Sequence, residues 1–229
     1  MFIHINQIAP LDLKVLEGPK GRFYVTPEGN KYPSITTVLG AKEKPWLADW
    51  RSSLGEERAD KETKRTAARG TAVHAMIEAY LQNEEVPANA AKLKNVPIAL
   101  EHIGEFNSAK LFLKKINNIM LQEQPLYSDT LKVAGRVDCI AEYCGVLSVI
   151  DFKTSTNNKS EYMVQDYFLQ TAGYALMFHE RYNIQIDQVV IIMTVEKGAV
   201  PLVFRKQVAD YLEPLCERIN TYHTTQGAK

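Results

Sequence analysis

Residues 133–153 read Val-Ala-Gly-Arg-Val-Asp-Cys-Ile-Ala-Glu-Tyr-Cys-Gly-Val-Leu-Ser-Val-Ile-Asp-Phe-Lys. Apolar and β-branched residues fill both halves and Cys144-Gly145 interrupts them, a pattern that predicts two antiparallel strands joined by a tight turn. Pairing about that dipeptide places Asp138 opposite Asp151. Strand alternation puts Lys153 on the same side as Asp151. The stretch therefore predicts two carboxylates and an ammonium on one patch of a sheet.

Two like charges that face each other across a sheet destabilise it, and a bound divalent cation is the usual compensation. A solvated hairpin face, where acidic residues are common, is the alternative. We favour a functional site because the apolar run 146–150 before Asp151 is typical of a buried central strand. The prediction depends on the register, since a shift by one residue would move Asp138 to the other face.

The composition is that of a soluble globular protein with one domain, residues 1–229. The chain has 45% hydrophobic and 24% charged residues, which are ordinary values. Lys+Arg and Asp+Glu both number 27, which argues against coating duplex DNA by bulk charge but leaves room for a local basic groove. Three cysteines provide neither a disulfide framework nor a four-thiolate metal site, and they favour a reducing compartment.

The sequence contains no apolar run of membrane-spanning length. Its first residues lack the basic and long apolar segments of a signal peptide and the Arg-rich character of a transit peptide. We therefore expect no membrane association and a cytoplasmic location, in a bacterial or phage-infected cell.

The region before the hairpin, about 34–121, is predicted to be mainly helical. Helices are expected over 35–39 with Ser34 as cap, from Pro45, over 70–81 and over 98–121, with a loop at 85–97. If residues 58–69 are also helical, their basic side chains form a stripe. A small hairpin is expected before Pro33. After it, the pattern predicts a strand at 122–128, a helix at 161–182, strands at 187–195 and 200–204, and a helix at 207–222.

Several polar residues of these elements are candidates for the same site. His74 and Glu78 are four residues apart on a helix, and although a lone helical His is usually packed or exposed, an adjacent acid commonly orients a metal-binding imidazole. Gln170 and Tyr174 share a face of a helix that packs back over the sheet, but both residues could simply form hydrogen bonds at the surface. For Glu123 a surface position is favoured over one in the site.

Other residues are candidates for contacts with nucleic acid. Lys61, Arg65 and Arg69 follow helical spacing; a solvated face is the usual reason for such a stripe, and contact with phosphates becomes credible only beside a real site. Trp46 and Trp50 share a helix face, for which core packing is the more frequent explanation and base stacking the alternative.

Four motifs in this order resemble the PD-(D/E)XK nuclease superfamily, and more narrowly its RecB-type branch. The motifs are His74 after Gly70, Gly135-Arg136-Val137-Asp138, Asp151-Phe152-Lys153 and Gln170-Thr171-Ala172-Gly173-Tyr174. Residues 33–39 and 70–74 are most similar to the mitochondrial genome maintenance exonuclease group and its phage relatives. The resemblance covers about residues 30–205, and each motif alone is weak.

The resemblance implies an α/β fold with a central mixed β-sheet flanked by helices, a restriction-endonuclease-like core at about 122–205 after a helical N-terminal half. Some RecB-type nucleases hold an iron–sulfur cluster with four cysteines. With three cysteines, this chain resembles the cluster-free branch.

The activity that the resemblance implies is metal-dependent hydrolysis of DNA from an end, most plausibly of a single strand. Mg²⁺ or Mn²⁺ would be bound by His74, Asp138, Asp151 and the Phe152 carbonyl, an oxygen-rich set. Lys153 would position the attacking water and stabilise developing charge. Gln170 and Tyr174 would orient Lys153 or hold a phosphate. Glu78 and Glu123 would support the metal ligands from outside.

DNA with a free end is thus the expected partner, with a replication or recombination protein as a possible second one. The candidate DNA contacts are Lys61, Arg65, Arg69, Arg136, Trp50 and Trp46. Two alternatives remain open: a structure- or sequence-specific endonuclease on the same core, and a nucleic-acid-binding module without catalysis. The intact set Asp138, Asp151 and Lys153 argues against the second.

Overall fold

A computed structural model describes residues 1–5, 8–42, 45–197 and 200–227. The strands are β1 (Lys14–Gly18), β2 (Gly21–Val25), β3 (Lys31–Pro33), β4 (Ala91–Leu93), β5 (Val96–Ile98), β6 (Ile116–Ser128), β7 (Val133–Tyr143), β8 (Val146–Ser155), β9 (Gln188–Val195) and β10 (Leu202–Gln207). The helices are α1 (Ile35–Gly40), α2 (Pro45–Leu54), α3 (Glu56–Leu81), α4 (Leu100–Leu113), α5 (Gln165–Tyr182) and α6 (Leu212–Gly227). Within these ranges, no helix has both the length and the hydropathy of a membrane span.

The five-stranded sheet at the centre has the order β10-β9-β8-β7-β6. Strands β8 and β9 are parallel and the other neighbours are antiparallel, so the sheet is mixed. The chain crosses from β8 to β9 through α5, as a parallel pair requires. Helices α3 and α4 cover one face, and α1, α5 and α6 cover the other. The predicted α/β class is therefore confirmed, and β8 is the central strand.

The predicted register of the β7–β8 hairpin is also confirmed. Tyr143 pairs with Val146, and Ala141 with Ser148. Cys144 and Gly145 both have positive φ angles, 53° and 79°, which is the two-residue turn whose twist suits a hairpin.

The pairing of β7 with β8 ends one residue before the two aspartates. Cys139 and Ile150 form its last pair. Val137 packs on the α5 side of the sheet whereas Cys139 packs on the α3 side, so the side-chain alternation of β7 is interrupted at Asp138. The two strands separate at this point, which opens the sheet beside Asp138 and Asp151.

The predicted helix over 98–121 is wrong in its second half. Helix α4 ends at Leu113, and the 13-residue strand β6 begins at Ile116. The strand is irregular between Asn117 and Leu121, where Asn118 has a φ of 49°. A bulge adds a residue to the two-residue alternation of a strand. The apolar residues of this strand therefore have a spacing close to that of a helix.

The predicted loop at 85–97 contains a small hairpin instead. Strands β4 and β5 pair about Lys94 and Asn95, whose φ angles are 48° and 67°. Asn tolerates this left-handed conformation better than most residues. The short strands carry little apolar pattern, so the sequence did not indicate them.

The remaining predicted helices, at 35–39, from Pro45, and over 70–81, 161–182 and 207–222, are confirmed to within a few residues. The stretch 58–69 is helical as well, because α3 begins at Glu56. Ser34 caps α1, accepting the backbone N–H of Thr37 at 3.0 Å. Ser34 also forms a parallel bridge with Ala134 of β7. This bridge attaches α1 and the β1–β2–β3 sheet to the central sheet, close to Asp138.

Candidate active site

The site lies where β7 and β8 separate. Asp138 Oδ2 accepts the backbone N–H of Phe152 at 2.8 Å and lies 3.8 Å from His74 Nδ1. The His74 ring also meets the Phe152 ring edge to face, with centroids 6.3 Å apart. Helix α3 thus brings its imidazole to the opening in the sheet.

Glu123 of β6 joins this group, which corrects the expectation of a surface position. Among the described residues, His74, Glu123 and Asp138 each offer a ligand atom within 4.8 Å of the other two. The pairs Gln122–Cys139 and Gln124–Val137 place Glu123 opposite Asp138. Its φ of 50° is unusual for a glutamate in a strand, and only the fold shows where such a residue points.

Asp151 is held by a second set of contacts. Its side chain is 1% exposed and its Oδ2 lies 2.5 Å from Lys153 Nζ. Gln170 donates from Nε2 to Asp151 Oδ1 at 3.0 Å and lies 3.4 Å from the Tyr174 hydroxyl. Helix α5 therefore fixes the orientation of Asp151, and its own Gln170 is held in contact with Tyr174.

The carboxylates repel one another in this low-dielectric setting. Burial, followed by the Asp138 and Glu78 charges, raises the pKa of Glu123 to about 8. Burial also raises the pKa of Asp151 to about 6, against the effect of Lys153. Burial disfavours the Lys153 ammonium, but the Asp151 and Asp138 carboxylates outweigh burial and raise the pKa of Lys153. At neutral pH the group thus has a cation and, at Glu123, a carboxyl group that a metal ion would help to ionise.

Lys153 and Tyr174 are both held in place by aromatic packing. The Lys153 ammonium lies 5.0 Å from the centre of the Tyr167 ring, a cation–π distance. Tyr174 packs so close to Gly135 that a Cβ on this glycine would lie 2.7 Å from the ring. Gly135 is therefore needed for the position of Tyr174.

Glu78 lies one turn beyond His74 on α3 and faces the same cleft as His74 and Glu123, a cavity of about 480 Å³. Lys94 of the β4–β5 turn lies 3.1 Å from Glu78 Oε1. The backbone carbonyl of Glu78 accepts a hydrogen bond from the Gln122 side chain at 2.9 Å. Glu78 thus ties α3 to β6 at the level of the site.

The predicted basic stripe is largely paired within the protein. Arg69 is 3% exposed and pairs with Glu105 at 3.6 Å and with Glu196. Arg65 pairs with Glu62 and Glu196, each at 2.8 Å. Arg69 is therefore a buried member of structural ion pairs rather than an exposed phosphate contact. Its partners lie on α4 and directly after β9, so the pairs connect α3 to both elements. Of the stripe, Lys61 and Arg65 are exposed, but Arg65 is held in its ion pairs.

The core-packing interpretation of the two tryptophans is wrong. None of the residues of α2 is buried, and Trp46 is 64% exposed. Trp46 and Trp50 line an open groove of about 460 Å³ together with residues 154–159, which are the end of β8 and the loop that follows it. Arg136 is also exposed, on β7 two residues before Asp138.

A mixed sheet that separates at two aspartates, with a lysine two positions beyond the second, defines the nuclease class suggested by the motifs. The sequence profile of the PD-(D/E)XK nuclease superfamily matches residues 45–222. This range is more than half of the chain, and the chain belongs to that superfamily.

Three proteins similar to this chain carry the same name. The human mitochondrial genome maintenance exonuclease 1 is 29% identical over 183 residues, covering 74% of this chain and 51% of the human protein. The mouse protein of that name is 27% identical over 185 residues, 74% of this chain and 52% of its own length. The Xenopus tropicalis protein of that name is 26% identical over 189 residues, 73% of this chain and 49% of its own length. The chain spans about half the length of these relatives.

Nucleases of this superfamily use divalent metal ions, and the residues present fit one. An imidazole and two carboxylates converge from α3, β6 and β7. Asp151 lies close to this group: burial is the main cause of its raised pKa, and the Asp138 charge raises it further. Oxygen ligands with one nitrogen suit Mg²⁺ or Mn²⁺ better than a tetrahedral zinc site.

Proposed function

We propose that this chain is a divalent-metal-dependent DNA exonuclease that hydrolyses phosphodiester bonds at the ends of single strands. The observation that carries the proposal is the convergence of Asp138, Asp151 and Lys153 at the opening between β7 and β8. His74 and Glu123 complete the group from neighbouring elements. Three carboxyl groups held this close together repel one another and destabilise the fold, and such clusters are typical of functional sites.

The metal would be held by His74, Glu123, Asp138 and Asp151, with the Phe152 carbonyl as a further ligand implied by the family resemblance. When bound, Mg²⁺ or Mn²⁺ supplies a water of lowered pKa and neutralises charge on the phosphate oxygens.

The chain's own residues orient and stabilise the reacting groups. Lys153 remains protonated beside Asp151, so it acts as a fixed positive charge towards the phosphate and as a hydrogen-bond donor to the attacking water. Gln170 holds Asp151 through its amide N–H. The N–H of Phe152 holds Asp138 in the same way.

Action on single-strand ends is supported by the names of the relatives and by the groove beside Lys153. All three relatives are named exonucleases. The exposed ring of Trp46 and the half-buried ring of Trp50 line a groove that continues from the loop after β8. Every base offers a face for stacking on such rings. A single strand presents its bases to this surface, whereas a duplex does not.

The deciding experiment compares linear single-stranded, circular single-stranded and linear duplex DNA of one sequence, with Mg²⁺, Mn²⁺ or EDTA. We expect mononucleotides or short products from the linear single strand alone, and only with metal. Cleavage of the circle would instead favour the endonuclease alternative. Absence of cleavage on all substrates at high protein concentration, with DNA binding retained, would favour the non-catalytic module.

A further inference from the structure

A second cavity adjoins the carboxylate cluster on the side of the small N-terminal sheet. Its volume is about 260 Å³. Glu123 and Asp138 form one end of the cavity, which they share with the candidate metal site. Most of the remaining wall is formed by Arg22, Tyr24, Ser34, Thr36, Arg136 and Tyr174, together with Gly135 and Gln170. We call this space the Arg22–Arg136 cavity.

The cavity has a negative end and a positive side. Arg136 lines the cavity together with Glu123 and Asp138, so the Arg136 charge acts at the site. No ion pair of Arg136 is found in the part of the chain that the structure describes. Arg22 pairs with Glu17 at 2.7 Å, but the two side chains are 49% and 66% exposed. Exposed pairs contribute little free energy, so Arg22 can exchange this partner for an anion at small cost.

The wall between the two arginines is rigid and carries hydroxyl groups. Tyr24 and Tyr174 are 1% and 2% exposed. The Ser34 hydroxyl lies 2.9 Å from the Thr36 hydroxyl. The bridge from Ser34 to Ala134 sets the distance between the N-terminal sheet and β7. Guanidinium groups and hydroxyls around a preformed space are the donors that proteins use for phosphate.

The size of the cavity restricts what it can hold. Pockets for drug-sized ligands begin at roughly 300 Å³, and this one is smaller. It has room for a phosphate and part of its sugar but not for a run of stacked nucleotides. A space of this size favours a strand that ends in the cavity over one that continues through it.

We propose that the Arg22–Arg136 cavity binds the terminal phosphate of the DNA strand and so selects strand ends, an inference that rests on the proposed nuclease function. Arg22 and Arg136 are then specificity-determining residues. Their contacts act on binding of the end rather than on the hydrolytic step, because they lie beside the carboxylate cluster and not within it.

The test uses Arg22→Gln, Arg136→Gln and the double variant of the full chain. Arg22→Lys and Arg136→Lys are the conservative variants, and Lys14→Gln removes one exposed charge from the same small sheet as a control. Calorimetry measures binding of thymidine 5′-monophosphate, thymidine 3′-monophosphate and thymidine with Mn²⁺ present. Kinetics on oligothymidylates with a phosphate or a hydroxyl at each end give KM and kcat separately.

In the wild-type protein we expect one of the two monophosphates to bind and thymidine not to bind. In each Gln variant we expect that affinity to fall, and KM for the matching phosphorylated end to rise, by about tenfold or more, the value of a hydrogen bond to a charged group. We expect kcat to stay near the wild-type value, and the Lys variants to retain part of the affinity.

Equal binding of the monophosphate by wild type and both Gln variants would overturn the proposal, as would equal KM values for phosphorylated and hydroxyl ends. The binding measurement does not depend on cleavage. Wild-type protein that binds the monophosphate through Arg22 and Arg136 but cleaves no DNA would therefore contradict the nuclease function and leave the anion site in place.

Discussion

Asp138 Oδ2 accepts the backbone N–H of Phe152 at 2.8 Å, at the point where the ladder between β7 and β8 has ended. A side chain therefore replaces the strand pairing that the next residue pair would have made. This contact fixes Asp138 relative to Asp151, which directly precedes Phe152. The two carboxylates are thus positioned by the sheet itself, and the site needs no flexible loop to bring them together.

Asp151→Asn is expected to abolish cleavage while the fold and DNA binding are retained. The substitution removes one charge with little change of shape, so Lys153 loses its partner and a metal loses a ligand. We expect a fall in kcat of about a thousandfold, comparable to the loss of an essential charge-stabilising group. Single-turnover cleavage and DNA titration in Ca²⁺ measure the two effects, with the exposed Asp12→Asn as the matched control. Cleavage by Asp151→Asn at the wild-type rate would show that the site is assigned wrongly.

Glu123 is expected to make the metal-free protein less stable as the pH rises. The pKa of Glu123 is about 8 in the folded chain against an ordinary value of 4.5. The folded state therefore holds more protons than the unfolded state between these two values, and the free energy of unfolding falls across that window. Burial of Asp151, with a pKa of about 6, adds an effect of the same sign at lower pH.

Glu123→Gln carries no charge at any pH, so this part of the decrease disappears. In thermal melts with EDTA, the melting temperature of Glu123→Gln relative to wild type should rise from pH 5.5 to pH 8. The variant Glu217→Gln, at an exposed position, should show no such rise. With Mn²⁺ the order is expected to reverse, because wild type keeps the ligand. A constant difference between variant and wild type across the pH range would contradict the buried position of Glu123.

The hairpin was predictable because its signals are local. Cys144-Gly145 fixes the turn, the turn fixes the register, and the register brings Asp138 and Asp151 to the same place. Glu123 was not predictable in this way. Its position depends on a left-handed backbone at 123 and on an interruption of side-chain alternation in the partner strand, and neither leaves a mark in the hydrophobic pattern.

Errors elsewhere have the same origin. The bulge near Asn118 gave a strand the apolar spacing of a helix. Arg69 had the spacing of an exposed stripe, but its burial is decided by Glu105 and Glu196, which lie 36 and 127 residues away in the sequence. Trp46 is of a residue type common in cores, yet it is 64% exposed because it lies on α2, none of whose residues is buried.

Gly135→Ala is expected to impair cleavage by displacing Tyr174. A Cβ at this position would lie 2.7 Å from Tyr174 Cε1, and the ring is buried and has little room to move. The displaced ring would disturb Gln170 and hence Asp151, so we expect kcat to fall by about tenfold to a hundredfold. Gly104→Ala is the matched control because nothing lies within 4 Å of its Cβ. Equal kcat values for the two alanine variants would exclude Tyr174 from the site.

Arg69→Gln is expected to reduce stability rather than DNA affinity. Removing one partner of a buried ion pair leaves charge without compensation, which typically costs about 3–5 kcal/mol. Burial already raises the pKa of Glu105, so in the variant this carboxylate would be left buried without a cationic partner. Urea unfolding measures the loss, and the exposed Lys61→Gln should change the free energy of unfolding by less than about 0.5 kcal/mol. Unchanged stability of Arg69→Gln with weaker DNA binding would restore the phosphate-contact interpretation.

Trp46→Ala is expected to weaken the binding of single-stranded DNA without destabilising the protein. The ring is 64% exposed, so its removal costs little apolar burial in the free protein. A base stacked on it would contribute about 1–3 kcal/mol, which corresponds to a rise in KM of roughly fivefold to a hundredfold.

Kinetics on oligothymidylates give KM and kcat for Trp46→Ala, Trp50→Ala and Trp46→Phe. The Phe variant should keep most of the affinity because it keeps an aromatic face. Leu111→Ala, at a position 69% exposed on α4, tests whether loss of any exposed apolar side chain has the same effect. If Trp46→Ala and Leu111→Ala bind single strands equally well, the groove beside Lys153 is not part of the path of the DNA, and the preference for single strands must come from the cleft at Asp138 alone.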